Sequence, residues 1–308
     1  MKRNNFETRK KLQTLPHETA FRRARRFSEL KPSKLVWDQW LAGLIDADGY
    51  LGKNKQGQLT CEITTDVSDE PMLREVQRVL GGSVKPRAGS ASVRWRTARR
   101  VSMLDLCHRI NGLVRYDVRQ IQFKMACDHL NLPLLPYEDL QLYSGYMAGL
   151  WDGDGCITMG VSKSSPARSV YPGKYGKMIR LLYSRGHHQL SIHVDSGHLS
   201  LLQTCQRALG FGRIISKNPS PDLKQRRPNL HYRLYWRSIQ DVGLWRGYLR
   251  KTKAGRSAKH RRLLLLERYF KLKSQGAHLA PENSVLWKGW RNFCHSWYDI
   301  KQNDLNSG

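Results

Sequence analysis

The 308-residue chain carries 53 Lys and Arg against 25 Asp and Glu, a formal charge of +28, and 40% hydrophobic residues. That is enough apolar content for one large core or two smaller ones, and the charge calls for a polyanionic partner, nucleic acid ahead of an acidic membrane surface. No apolar run approaches the roughly 20 residues of a spanning helix, and Cys61, Cys107, Cys127, Cys156, Cys205 and Cys294 form no CxxC pair, which points to a reducing compartment without a disulfide framework or zinc finger.

Residues 1–34 are basic but include Glu7 and Glu18 and little Ser, so they read as an arm lying on phosphate rather than as a targeting segment. A helix is expected from Lys34 to Ala47, ending in the nonapeptide Leu41-Ala-Gly-Leu-Ile-Asp-Ala-Asp-Gly49. A second helix, Asp139 to Gly153, ends in Met147-Ala-Gly-Leu-Trp-Asp-Gly-Asp-Gly155, identical to the first motif at six of nine positions and 106 residues further on.

The segments after the two motifs repeat as well. Strand-like stretches, Leu59 to Thr65 and Gln189 to Val194, lead to Asp66 and Asp195, each read as the N-cap of an amphipathic helix ending at Leu80-Gly81 or Leu209-Gly210. Basic strands come next, Ser92 to Arg96 and Leu230 to Arg237, and then a further helix opened by Asp117-Val-Arg119 or Ser257-Ala-Lys259. This divides the chain into a basic arm (1–34), a first half (35–137), a second half (138–275) and a C-terminal amphipathic helix and tail (276–308). The tail helix places Leu286, Trp290, Phe293 and Trp297 on one face, to pack against the body.

Insertions around 160–188 and 216–229 lengthen the second half and read as surface loops. From 155 to 266 there are 22 Lys and Arg but three acids, so this half is expected to hold a polyanion more strongly. His187, His188, His193 and His198 cluster without a second ligand pair and read as surface or nucleic-acid-contacting histidines.

At helical spacing Gly43 and Ala47 share a face, as do Gly149 and Gly153, and residues this small let two helix backbones approach closely. If the motif helices mate, Asp48 and Asp154 come together at their C-terminal ends, where the helix dipole and mutual repulsion disfavour both carboxylates. A divalent cation removes both penalties.

The two motifs resemble those of the LAGLIDADG homing endonuclease family, the first letter for letter, in its monomeric two-motif, intron-encoded and free-standing form. The resemblance implies an α+β fold of two pseudo-symmetric αββαββα halves packed through the motif helices, with antiparallel sheets forming a DNA-binding saddle. It implies a metal-dependent endonuclease that cuts both strands of a long, asymmetric DNA site across the minor groove. Asp48 and Asp154 would hold the metal, with the carbonyls of Ala47 and Gly153 in support. Hard oxygen ligands fit Mg²⁺, with Mn²⁺ as a substitute and Ca²⁺ supporting binding only. The family's basic residue at the last helix maps by register to Arg119 and Lys259, with Arg115 and Arg256 as competitors, and its water-organising strand residue to Thr65 and His193. Base readers are expected among Lys53, Lys55, Gln58, Arg87, Arg94, Arg96, Arg233 and Arg237, with further DNA contacts from Lys85, Lys163, Lys217, Arg226 and Arg227.

Two other functions share this sequence pattern: an RNA maturase that assists its host intron, and a DNA-binding protein without cleavage. Both acids are present, which favours the nuclease. Met1 and Asn306-Ser-Gly308 lack protein-splicing chemistry, so an intein is not expected. Resemblance to intron-encoded members implies an intracellular protein, in a chloroplast or mitochondrion, acting as a monomer without a membrane.

Overall fold

The computed structural model describes residues 34–137, 139–161, 170–186, 188–217 and 231–299. The predicted arm, and Lys163, Arg226 and Arg227, lie outside them. The first half runs α1 (Lys34–Asp48), β1 (Gly49–Lys53), β2 (Leu59–Asp66), a 3-10 turn (Val67–Asp69), α2 (Glu70–Leu80), β3 (Ser83–Pro86), β4 (Ser92–Thr97), α3 (Arg100–Ile110) and α4 (Asp117–Leu130). The second runs α5 (Tyr146–Asp154), β5 (Gly155–Val161), α6 (Gly173–Leu182), β6 (His188–Ser196), α7 (Leu199–Leu209), β7 (Arg213–Lys217), β8 (His231–Trp236) and α8 (Ile239–Thr252). Two more helices close the chain, α9 (His260–Ser274) and α10 (Val285–Tyr298).

Each half builds a four-stranded antiparallel sheet, in the order β1-β2-β4-β3 and β5-β6-β8-β7. The class is the expected α+β. In the first sheet Ile63 pairs Trp95, Thr65 pairs Val93 and Cys61 pairs Thr97, all buried, which leaves Glu62, Thr64, Arg94 and Arg96 on the other face. Strand period two thus separates an apolar face from a charged one.

The described chain forms two compact units, residues 34–156 with 193–258, and 157–192 with 259–299, divided within β5 and β6. The first unit contains the motif helices and a second-half core in which Trp236 stacks on Trp245 at 4.6 Å and Trp245 on Tyr248 at 5.1 Å. In the second unit, Trp290 Nε1 donates to the Leu182 carbonyl (3.1 Å) and Arg262 Nη1 to the Ile157 carbonyl (3.0 Å).

Several expectations are corrected. The second motif helix starts at Tyr146, not Asp139, because Gly145 N–H donates to Gln39 Oε1 of α1 (3.0 Å) instead of closing a helical turn. The 160–188 insertion is not all loop: α6 buries Met178, Leu181 and Leu182. In α10 the buried face carries Trp287, Trp290, Phe293 and Trp297, while Leu286 is 39% exposed. Asp66 does cap, accepting from Ser68 N–H at 2.9 Å, but it caps the 3-10 turn. Asp195 lies within β6 and caps nothing; His198 is the N-cap of α7. Helices α4 and α9 begin after Tyr116 and Lys259, so Asp117 is a first-turn acid and Ser257 lies ahead of its helix.

Candidate active site and nucleic-acid interface

The motif helices pack backbone to backbone. A Cβ at Gly43 would stand 2.8 Å from the Leu150 nitrogen and overlap the Tyr146 carbonyl. One at Gly149 would stand 2.8 Å from the Leu44 nitrogen and overlap the Trp40 carbonyl. At the far end a Cβ on Gly153 would meet the Ala47 methyl and lie 3.1 Å from Asp48 Oδ2. The half-buried Asp48 carboxylate is therefore against the last turn of α5, the turn that ends in the exposed Asp154. The sequence marks these four small residues, and the structure adds a fifth at the entry to α5, where a Cβ on Gly145 would overlap the Val36 carbonyl and stand 3.0 Å from the Trp40 nitrogen.

The other motif acids are structural. Asp46 Oδ2 accepts from the N–H groups of Arg115 (2.7 Å) and Tyr116 (3.2 Å), and Asp152 accepts from those of Arg256 (2.8 Å) and Ser257 (3.1 Å). Each acid thus fixes the loop that feeds the last helix of its half. Each also takes a bond from the opposite motif helix: Trp40 Nε1 donates to Asp152 Oδ2 (2.9 Å), and the Tyr146 hydroxyl to Asp46 Oδ2 (2.5 Å). Residues 40 and 146 stand the same 106 positions apart as the motifs, a repeat just outside the nonapeptide that sequence inspection passes over. Burial pushes the Asp46 carboxyl up to about 7, against the lowering effect of its hydrogen bonds from Tyr146, Arg115 and Tyr116.

Arg119 sits at the end of α1, its Nε donating to the Ile45 carbonyl (3.2 Å) and its Nη1 to Gln122 Oε1 (3.2 Å). The Leu51 N–H of β1 also donates to Gln122 Oε1 (3.2 Å), so Gln122, unmarked in the sequence, ties α4 to the strand leaving the motif. Arg115 lies over the rings of Tyr146 (5.4 Å) and Tyr137 (5.6 Å). Arg256 lies over Trp40 (4.2 Å) and donates to Glu75 (2.8 Å). These two arginines brace the seam. Counting from the matched bonds of Asp46 and Asp152, Arg115 corresponds to Arg256 and Arg119 to His260, which puts Lys259 opposite Val118.

Thr65 and His193 do not occupy equivalent positions. Thr65 shares the buried face of β2 with Ile63, whereas His193 shares a face with Asp195, whose carboxylate grips Arg233. His193 is buried, and burial, then the charge of Arg233, hold its pKa down to about 4. His188 is buried too, stacked on Trp290 at 5.2 Å, so neither is a surface histidine.

Each sheet's open face centres on one acid that holds two bases. Glu62 pairs with Arg94 (2.9 Å) and Arg96 (3.1 Å). Asp195 pairs with Arg233 (2.6 Å) and Lys217 (2.9 Å). Burial would raise Asp195, but the bonds and charges of Arg233 and Lys217 prevail and hold it at about 2. Among the described residues Lys85 and Arg87 have no acid partner; Lys85 stands opposite Arg94 in the β3–β4 register. Lys55 and Gln58 are exposed in the β1–β2 turn, while Lys53 falls opposite Leu59 on the core side of the register and emerges at the strand end. Arg237 lies over the Tyr235 ring (4.3 Å). Among the described residues no three His, Cys, Asp or Glu side chains converge, and no helix is long and apolar enough to cross a membrane.

Residues 38–97 match the family of LAGLIDADG-like domains. The chain is 30% identical over 262 residues to a probable intron-encoded endonuclease aI2 of Debaryomyces hansenii, covering 85% of this chain and 37% of that protein. It is 31% identical over 275 residues to an intron-encoded RNA maturase bI4 of Saccharomyces cerevisiae, covering 89% of this chain and 38% of that one. The chain thus spans less than half the length of these relatives. The crystal structure of the I-LtrWI LAGLIDADG homing endonuclease bound to target DNA superposes with a TM-score of 0.58 at 12% identity, over 88% of this chain and 99% of that one. Two motif copies on mated helices, the domain match and the shared fold agree: residues 38–97 are a LAGLIDADG-like domain, and the chain carries a second copy of its motif on the same polypeptide, in the fold of the solved LAGLIDADG structures.

Proposed function

We propose that the chain is a site-specific DNA endonuclease of the homing type, hydrolysing both strands of a long duplex target with a divalent cation. The observation that carries this reading is the seating of the Asp48 carboxylate against Gly153, which brings the end of one motif helix to the acid that closes the other. Asp48, Asp154 and the carbonyls of Ala47 and Gly153 are an all-oxygen donor set. With no third protein acid converging among the described residues, phosphate and water oxygens must complete the shell, which suits a hard cation such as Mg²⁺. When bound, that ion activates water and neutralises charge at the phosphate.

The remaining residues position and attract. Arg119, fixed on the Ile45 carbonyl, holds positive charge at the end of α1 near Asp48. The open faces of the sheets offer Arg94, Arg96, Arg233, Lys85 and Arg87 to the duplex, and Thr65 lies one residue short of the end of β2. The host intron's RNA is the alternative ligand, favoured by the maturase name of one relative.

The test is Asp48→Asn and Asp154→Asn, assayed on a randomised duplex library with Mg²⁺. Each change should lower double-strand cleavage by at least about 100-fold, the loss of several kcal/mol of metal-borne charge stabilisation, while duplex affinity without metal stays level or rises. A folded double variant that cuts at the wild-type rate removes the catalytic assignment. A wild type that cuts nothing in the library transfers the reading to the maturase.

A further inference from the structure

Between α2, the end of β4 and the start of α3 the first unit holds a cleft of about 910 Å³, floored by Leu59, Met103 and Leu130 and rimmed by Arg96, Arg99 and Arg100. Three features of its wall call for an anion. Helix α3 opens at Arg99 with no side-chain cap and no acid in its first turn, so its leading N–H groups have no side-chain acceptor. Arg99 and Arg100 add two cations at the positive end of that helix, where the dipole disfavours them. Thr97, 3% exposed, lines the same cleft, and its hydroxyl has no hydrogen-bond partner among the described residues. A buried hydroxyl without a partner is costly, and the fold keeps it there.

The related cleft of the second half, lined by Gly212, Arg213, Arg237 and Ser238, is built differently. There Ser238 caps α8, its Oγ accepting from Asp241 N–H at 3.0 Å, and Asp241 stands in the first turn. That helix end is already satisfied.

We propose that the first-half cleft is a phosphate site, in which Arg99, Arg100, the leading N–H groups of α3 and the Thr97 hydroxyl take one backbone phosphate of duplex DNA. The site rests on the DNA reading given above and adds an anchor outside the sheet faces. It belongs to one half only, so the two halves grip backbone unequally.

The experiment measures full-length protein on a 40-base-pair duplex of random sequence by fluorescence anisotropy across NaCl concentrations, without metal. Arg99→Gln with Arg100→Gln should weaken binding several-fold and reduce the log–log salt slope by about 1, one phosphate's worth of released counterions. Arg99→Lys with Arg100→Lys should keep the slope. Arg78→Gln with Lys124→Gln removes the same charge elsewhere and should leave the slope near wild type. Thr97→Val should weaken binding with the slope unchanged and the melting temperature not lowered. A wild type that binds with an unchanged slope after Arg99→Gln and Arg100→Gln, or a fall matched by the control pair, overturns this site alone. So does wild-type affinity in Thr97→Val for its hydroxyl. A wild type that binds no duplex overturns the DNA reading together with it.

Discussion

Two acids two residues apart in each motif have different duties, and their surroundings separate them. Asp48 and Asp154 end their helices within reach of solvent, while Asp46 and Asp152 are 3% and 1% exposed and bonded on several sides. The sequence shows four equal-looking aspartates in Asp-x-Asp-Gly, and only the packing says which pair is locked. Their titration offers a direct check. Asp46, raised from the usual carboxylate range near 4 to about 7, makes the folded state bind more protons than the unfolded one between those values, so its contribution to stability falls as pH rises through that window. His193, held down to about 4 against an ordinary value near 6.5, binds fewer protons when folded, so its contribution falls as pH drops through nearly the same window. The two slopes oppose each other in the wild type. Urea midpoints at pH 4.5, 5.5, 6.5 and 7.5 should rise with pH in Asp46→Asn and fall with pH in His193→Gln; identical profiles in both variants and the wild type would mean neither group carries its shift.

At the scale of the element, the small-residue stripe of the motif helices was legible at Gly43, Ala47, Gly149 and Gly153, though not at Gly145 just ahead of the second motif, and its energetics can be measured. Gly43→Ala drives a methyl into the Tyr146 carbonyl of a helix that cannot retreat, since its other contacts are backbone too. Overpacking of this kind costs about 3 kcal/mol or more. Gly247→Ala, in the interior of α8 with nothing within 4 Å of the added methyl, should instead stabilise by about 0.5–1 kcal/mol. Equal effects of the two substitutions on urea unfolding would show that the seam is looser than drawn. Less of the rest could be read. Helix α3 was written in Met103, Leu106, Cys107 and Ile110 at helical spacing, but Arg99 and Arg100 at its start mimic the strand before it. Helix α6 was hidden by the Gly, Pro and base around it, although Met178, Leu181 and Leu182 face a core. The strand pair Thr65 and His193 failed because a one-residue offset exchanges the faces of a sheet. Asp195 failed as a cap because the bases that hold it come from β7 and β8, far along the chain.

For the molecule as a whole, +28 predicts steep salt dependence, and the structure says where part of that charge is already spent. Arg94, Arg96, Arg233 and Lys217 share two acids, which fixes the side chains in place while lowering their net pull on phosphate. Duplex binding should still weaken with a log–log slope equivalent to about ten counterions. A slope of two or three would put most of the charge away from the DNA. Replacing Glu62 by Gln frees two arginines at once and should raise affinity for random duplex more than for a cognate site.

The crossed bonds from Trp40 to Asp152 and from Tyr146 to Asp46 have the form of an isologous contact: exchange the halves, and each donor meets an equivalent acceptor. A seam with that property makes no reference to the sheets beyond it. Either half could be traded for a relative's, provided the incoming one brings an aromatic donor just ahead of its motif and an acid at its sixth position. Recognition surfaces could then be recombined as interchangeable modules, each free to drift toward its own stretch of sequence while its neighbour stays as it was.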